Sequence, residues 1–241
     1  MWIGQWDHGS GVHPNRRFDQ WQYALHAWFD KHLKGIDVDT GPAVEAFLNG
    51  ERVATDVRWG EPDGSLDLWP SGTALQQEEP EGMGATFFLA LGGSSGARFT
   101  SEPLARDMVL LGLPRMRLNL SVTTSQPVHI VAGLFALGED GQRTIGYCAV
   151  QPQLRDGVGR TSPIIPGQEM ELHPQCFTLA HHVRAGEQVI LDIATTGPHH
   201  VPFFAIEGLA TVFTGPGKTT IEIPLVEPQR FTRDVPLRLG S

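Results

Sequence analysis

Met116-Arg117-Leu118-Asn119-Leu120-Ser121-Val122 alternates apolar and polar side chains, the period-two pattern of a strand with one face against a core. The same period extends along the chain in both directions. Downstream, residues 129–137 and 144–150 flank Asp140-Gly141. A glycine-containing pair of this kind accepts the positive φ angles of a tight turn and predicts a hairpin. The denser apolar content of these two arms predicts burial on both faces. Upstream, Val44, Ala46 and Leu48 alternate up to Asn49-Gly50, and Val53, Thr55, Val57 and Trp59 alternate after it, a further hairpin. Residues 169–172, 177–180, 188–193, 209–213 and 220–225 read as additional strands, with Pro174 marking an edge or a bulge. Eight or more short strands at this spacing predict a mainly β, two-sheet sandwich of jelly-roll type.

Composition agrees with that reading. Glycine (28) and proline (18) crowd a chain of 241 residues and favour turns over long helices. Acidic residues outnumber basic ones 27 to 18, a net charge of -9, so the basic footprint of a nucleic-acid binder is missing. Two cysteines, Cys148 and Cys176, exclude a disulfide scaffold and leave room for one bridge. Cys148 falls in an apolar strand and reads as core. No apolar run is long enough to span a bilayer, and Met1-Trp2-Ile3 lacks the basic and apolar regions of a signal peptide. A cytoplasmic protein with no membrane partner is expected.

One segment keeps a different period. Phe18, Trp21, Leu25, Trp28, Phe29, His32 and Leu33 recur at three- and four-residue steps, which predicts a helix over 18–34 with one aromatic stripe. Asp19 in its first turn and Lys31 and Lys34 in its last complement the helix dipole, and Gly35 stands where a left-handed cap belongs. The rings of Trp21, Trp28 and Phe29 alone are too much surface to leave in water. A catalytic domain or a second copy of the chain is the expected cover.

Ahead of that helix lies Ile3-Gly4-Gln5-Trp6-Asp7-His8-Gly9. His8 is bracketed by an acid and a flexible Gly-Ser-Gly loop, and histidine suits acid-base work because its pKa lies near neutrality. By local chemistry alone it is an exposed loop histidine beside a carboxylate. The larger pattern changes that reading. Gly-Gln-Trp-Asp-His-Gly, then Trp28-Phe29-Asp30-Lys31-His32-Leu33-Lys34-Gly35, then Pro42 and a strand, resembles the serine hydrolases that comprise X-Pro dipeptidyl-peptidases, cocaine-esterase-like (CocE/NonD) enzymes and α-amino-acid ester hydrolases. Trp69-Pro70, Phe99-Thr100-Ser101-Glu102-Pro103-Leu104 with Asp107, Leu111-Gly112-Leu113-Pro114, and Val183-Arg184-Ala185-Gly186-Glu187-Gln188-Val189 are similar to later landmarks of the same family. The resemblance implies that residues 1–38 are the end of an α/β-hydrolase domain and that residues 39–241 are its galactose-binding-like jelly-roll domain. It implies that His8 is the triad histidine, the general base and acid.

Such a hydrolase orders its triad serine, then acid, then histidine. With His8 this early, the nucleophile and the orienting acid are expected ahead of Met1, and the chain alone is expected to be inactive. Gly92-Gly93-Ser94-Ser95-Gly96 fits the letters of G-x-S-x-G, but no helical period follows it, so it reads as an interstrand loop. Asp7 adjoins His8, and neighbouring side chains on extended backbone diverge, which makes it a poor orienter. His173, His181-His182 and His199-His200 raise a metal reading, with Cys176 near His173 and His181. Adjacent histidines on a strand face opposite ways, and no paired-ligand spacing is present, so neither metal nor cofactor is expected. Trp59 and Trp69 suggest a sugar-stacking platform, but core packing is the expected role. A non-catalytic binding or assembly module, for docking, oligomerisation or carbohydrate, is the alternative function.

Overall fold

The computed structural model describes residues 2–3, 18–41, 44–48, 51–55, 64–67, 86–89, 96–197, 206–215, 217–226 and 231–233. In chain order they form β1 (Trp2–Ile3), α1 (Phe18–Lys34), β2 (Val44–Leu48), β3 (Glu51–Thr55), β4 (Gly64–Asp67) and β5 (Thr86–Phe88). Next come β6 (Gly96–Thr100), β7 (Met108–Gly112), β8 (Arg115–Val122), β9 (Ile130–Gly138), β10 (Gly141–Val150) and β11 (Met170–Leu172). The last are β12 (Gln175–Cys176), β13 (Leu179–Val183), β14 (Gln188–Ala194), β15 (Leu209–Val212), β16 (Thr220–Val226) and β17 (Phe231–Arg233).

Several of these short strands are halves of longer ones. β16 pairs with β7 at Leu225↔Leu110 and then with β8 at Glu222↔Arg115, while β15 carries on along the same edge at Val212↔Leu120 and Ala210↔Val122. Residues 108–122 and 209–226 are therefore two long antiparallel partners, each interrupted once. On the far side of residues 209–226 lie β4 and β5; on the far side of residues 108–122 lie β11 and β13. This gives one sheet in the order β4/β5, β15/β16, β7/β8, β11/β13. The facing sheet runs β6, β14, β9, β10, β12. Two antiparallel sheets with this strand order are a jelly roll, as the strand spacing predicted.

Inward positions explain why the sheets stay together. Leu118, Leu120, Leu134, Leu172, Leu179, Leu191, Val212 and Ile223 form one core between the sheets and are almost wholly buried. Removing each such side chain from water stabilises the fold by about 1.5–3 kcal/mol. A smaller sheet, β1-β2-β3-β17, lies outside the first sheet. Its Ala46 and Leu48 pack on Val109, Leu111, Ala180 and Val226, so β7 is buried on both faces. Leu48 pairs with Glu51 across the expected two-residue turn at Asn49-Gly50, which itself lies outside the described residues. β1 pairs in parallel with β2, Trp2 with Glu45 and Ile3 with Ala46.

Four details depart from the sequence reading. Asn119, placed on the polar face of a half-buried strand, is only 5% exposed. Its N–H donates to Thr219 Oγ1 at 3.0 Å and its carbonyl accepts from Phe213 N at 2.9 Å. Thr219, wholly buried, returns a hydroxyl contact to Asn119 O at 3.4 Å and so meets β8 between its pairings with β15 and β16. β9 is buried on both faces but β10 is half-exposed, because β10 lies near the sheet's rim, flanked there only by the two-residue β12. The strand expected at 177–180 begins at Leu179; Phe177 precedes it and stacks on Tyr147 with centroids 4.4 Å apart. Cys148 is core, and it is also joined to Cys176 in a disulfide directly across the β10–β12 pair.

Helix α1 has its expected bounds and cap. Gly35 takes φ +69°, Ile36 N–H turns back to Asp30 O at 3.0 Å, and Lys34 bonds Asp30 at 2.6 Å. Its stripe is open: Trp28 is 48%, Phe29 40% and Leu33 73% exposed, with Trp28 packed edge-on to Phe29 and tilted over His32. No helix among the described residues is long and apolar enough to cross a membrane.

Candidate functional site

His8 and Asp7 lie outside the described residues, as do Ser94, Trp59, Trp69, His199 and His200. The described residues converge elsewhere, at one end of the sandwich. There the loop 101–107 between β6 and β7, the turn between β9 and β10, and the turn between β13 and β14 meet. Two landmark segments singled out in the sequence, 99–107 and 183–189, are thus neighbours in space.

Their contacts show what those residue types do. Ser101 N–H donates to Val189 O, and Val189 N–H returns to Ser101 Oγ, both at 2.9 Å. Leu104 N–H donates to Glu187 O, and Gly186 N–H to Leu104 O, both at 2.8 Å. Asp107 closes the clamp: Oδ1 accepts from Ala185 N–H at 2.9 Å and Oδ2 lies 3.1 Å from His182 Nε2. The Ala185 N–H is the chief reason the Asp107 carboxyl titrates below its ordinary range, with the His182 ring and Arg184 adding to it. Gly186 takes φ +84°, so the turn needs glycine there.

Beneath this clamp sits an ion pair. Arg143 stands opposite the inward-facing Ala136 and reaches Glu187, forming a two-pronged pair in which Nη2 donates to Oε2 at 2.8 Å and Nη1 to Oε1. Nη2 also donates to His182 O at 3.0 Å, and Arg184 N–H donates to Glu187 Oε2 at 2.7 Å. Planar guanidinium and carboxylate match here in the geometry that makes such bonds strong. The Arg143 guanidinium holds the Glu187 carboxyl below its usual range against the opposing effect of burial. His181 shares the inward parity of Leu179 and Val183. Burial, and secondarily the charge of Arg143, push its pKa down to about 4, so it is neutral at pH 7. Asp140, Gly141, Gln142, Arg143, Thr144, His181, Arg184 and Glu187 line a cleft of about 360 Å³ at this end.

The sequence reading identified Asp107 and residues 183–189 but missed Arg143. It started the strand at Thr144 and so left Arg143 in a turn. The available signal was the even count from Arg143 back to Gly141 and across to Ala136, which places the arginine inward.

Nothing in this cluster is a nucleophile beside a base. Its histidines divide as the strand rule requires, His181 inward and His182 toward Asp107. His173 lies 3.2 Å from Glu171. Among the described residues no group of three or more histidine, cysteine, aspartate or glutamate side chains is placed to hold a metal ion.

Residues 37–219 match a family model described as the X-Pro dipeptidyl-peptidase C-terminal non-catalytic domain. The chain matches no curated relative. Among solved structures, it is similar to an aminopeptidase from the marine sediment archaeon Thaumarchaeota archaeon, at 14% identity and a TM-score of 0.70, over 94% of this chain and 49% of that one. It is similar to a CocE/NonD family hydrolase from Staphylococcus aureus, at 13% identity and a TM-score of 0.67, over 90% and 48%. An α-amino acid ester hydrolase aligns at 14% identity and a TM-score of 0.68, over 93% and 49%. At these identities the likeness is one of fold, and this chain spans about half the length of each.

Proposed function

This chain belongs to the family of X-Pro dipeptidyl-peptidase C-terminal non-catalytic domains, and from that premise we propose that it is the C-terminal part of a serine hydrolase acting on peptide, ester or amide bonds. The match of the non-catalytic family model to the jelly roll carries this reading. Residues 39–241 are the non-catalytic domain and residues 1–38 the end of the hydrolase domain, tied to it by the β1–β2 pairing. His8 is the triad histidine: it takes the proton of a serine outside these 241 residues and passes it to the leaving group.

The open stripe of Trp28, Phe29 and Leu33 supports docking onto the rest of that hydrolase domain, since exposed aromatic clusters of this size mark interaction surfaces. Cytoplasmic residence is the part of the reading that the Cys148–Cys176 bridge weighs against, because disulfides persist chiefly in oxidising compartments.

A histidine without nucleophile and orienter cannot run an acylation cycle, so the 241-residue chain alone has no triad-dependent hydrolysis. Incubation with a fluorophosphonate probe and with activated esters tests this. No labelled serine and no turnover above buffer are expected; specific labelling of a serine in this chain overturns the proposal.

A further inference from the structure

The cleft at the end of the sandwich has hydrogen-bonding capacity that its clamp does not use. Glu187 accepts three hydrogen bonds, two from Arg143 and one from Arg184 N–H. Arg143 spends both terminal nitrogens on Glu187 and His182 O, and its Nε is buried with no acceptor. At the rim, the exposed Arg184 side chain makes no hydrogen bond among the described residues. Gln142 and Thr144 add an exposed amide and hydroxyl.

The cleft lining holds two guanidinium groups, Arg143 and Arg184, and two carboxylates, Glu187 and Asp140, so its formal charges balance. Burial first and the Arg143 charge second disfavour a positive charge on His181. Asp140 lines the same cleft, and Asp107, beside Arg184, is already committed to Ala185 N–H and His182. With Arg143 paired to Glu187, the Arg184 guanidinium is the group left to meet a ligand carboxylate and Asp140 the carboxylate left at the rim, in a cleft of about 360 Å³, a volume within the range of small-ligand sites.

We propose that the cleft formed by Gln142, Arg143, Thr144, His181 and Arg184 binds a small carboxylate. Arg184 is its principal anchor, since a planar guanidinium matches a carboxylate in two-pronged geometry. Arg143 holds the floor, and Asp140 lies at the rim for an ammonium group where the ligand is an amino acid. This assignment does not depend on the hydrolase reading, because it uses only residues of the sandwich.

Titrating the 241-residue chain with propionate, L-alanine, methylammonium and chloride at constant ionic strength, followed by backbone amide NMR, tests it. Saturable shifts at residues 140–144 and 183–187 are expected with propionate or L-alanine and not with chloride or methylammonium. Tighter binding of L-alanine than of propionate identifies amino acids as the source; equal binding identifies simple acids. Arg184→Ala should weaken binding at least tenfold with an unchanged melting temperature, and Arg184→Lys should recover part of it. Thr144→Glu, at an exposed position, should abolish binding through like charge. Shifts that fail to saturate, that chloride reproduces, or that survive both Arg184→Ala and Thr144→Glu overturn the proposal.

Discussion

Gly112 shows how one residue is fixed by geometry. It ends β7 with φ +144°, and a Cβ built there would lie 2.5 Å from Pro224 Cγ on the paired strand. Leu113-Pro114 then carries the chain into β8, so the interruption of residues 108–122 depends on a residue with no side chain. Gly112→Ala must strain the backbone and displace the proline ring. It should lower stability by about 1–3 kcal/mol, seen as an earlier urea midpoint with unchanged slope. Gly159 has open space around its Cβ direction and no positive φ; Gly159→Ala should stay within about 0.5 kcal/mol. The sequence singled out Leu111-Gly112-Leu113-Pro114 as a landmark, but the pairing with β16 that makes its glycine necessary is a contact between residues more than a hundred apart.

Among the elements, β12 makes the least expected move. Residues 173–178 leave the first sheet between β11 and β13 and cross to pair with β10 in the second, where Cys148 and Cys176 are bridged. The bridge closes a loop with a sequence separation of 28, which in the chain-entropy view stabilises the fold by about 3.5 kcal/mol. Reduction, or the paired Cys148→Ala and Cys176→Ala substitutions, should lower the melting temperature and speed proteolysis within residues 173–178. Unchanged values in both assays would refute a bracing role. Local pattern made most elements legible: α1 with its cap, both hairpins, and the strands 115–122 and 188–194 follow from periods of 3.6 and 2 and from turn residues. What it left hidden is non-local. Thr144 and Gly146 flank a register shift that turns the buried Ile145 inward, and no spacing rule announces such a bulge. The end cluster was half legible for the same reason: Asp107 and residues 183–189 stand out as strings, whereas Arg143 has meaning only opposite Glu187.

Taken as one molecule, the chain carries its acid response at the clamped end. The folded state keeps His181 neutral down to about pH 4, whereas the unfolded chain protonates it near 6.5. Between those values the unfolded state binds more protons, so stability falls as the pH drops, by about 3 kcal/mol across the interval. Glu187 and Asp107 act in the same direction, because a carboxyl held low when folded contributes stability above its unfolded pKa and loses it on further acidification. Thermal midpoints should decline steadily from pH 7 to pH 4, and His181→Asn should flatten the upper part of that decline. Equal slopes for the two proteins would disprove the assignment to His181.

The position of β15 and β16 bears on how the protein is made. They lie in the middle of their sheet, between β4/β5 and β7/β8, yet they emerge from the ribosome after nearly everything they join. Until then β7 and β8 lack their partner along one edge, and β4 and β5, whose ladder partners are β16 and β15, have no sheet to join, which leaves strand edges open to pairing with another chain. Biosynthesis thus completes this sheet with its central strands, and a stop codon before Leu209 removes the ladder partners of β4 and β5 together with one edge of β7 and β8, so the product is expected to be a substrate for chaperones and proteases rather than a smaller version of the domain.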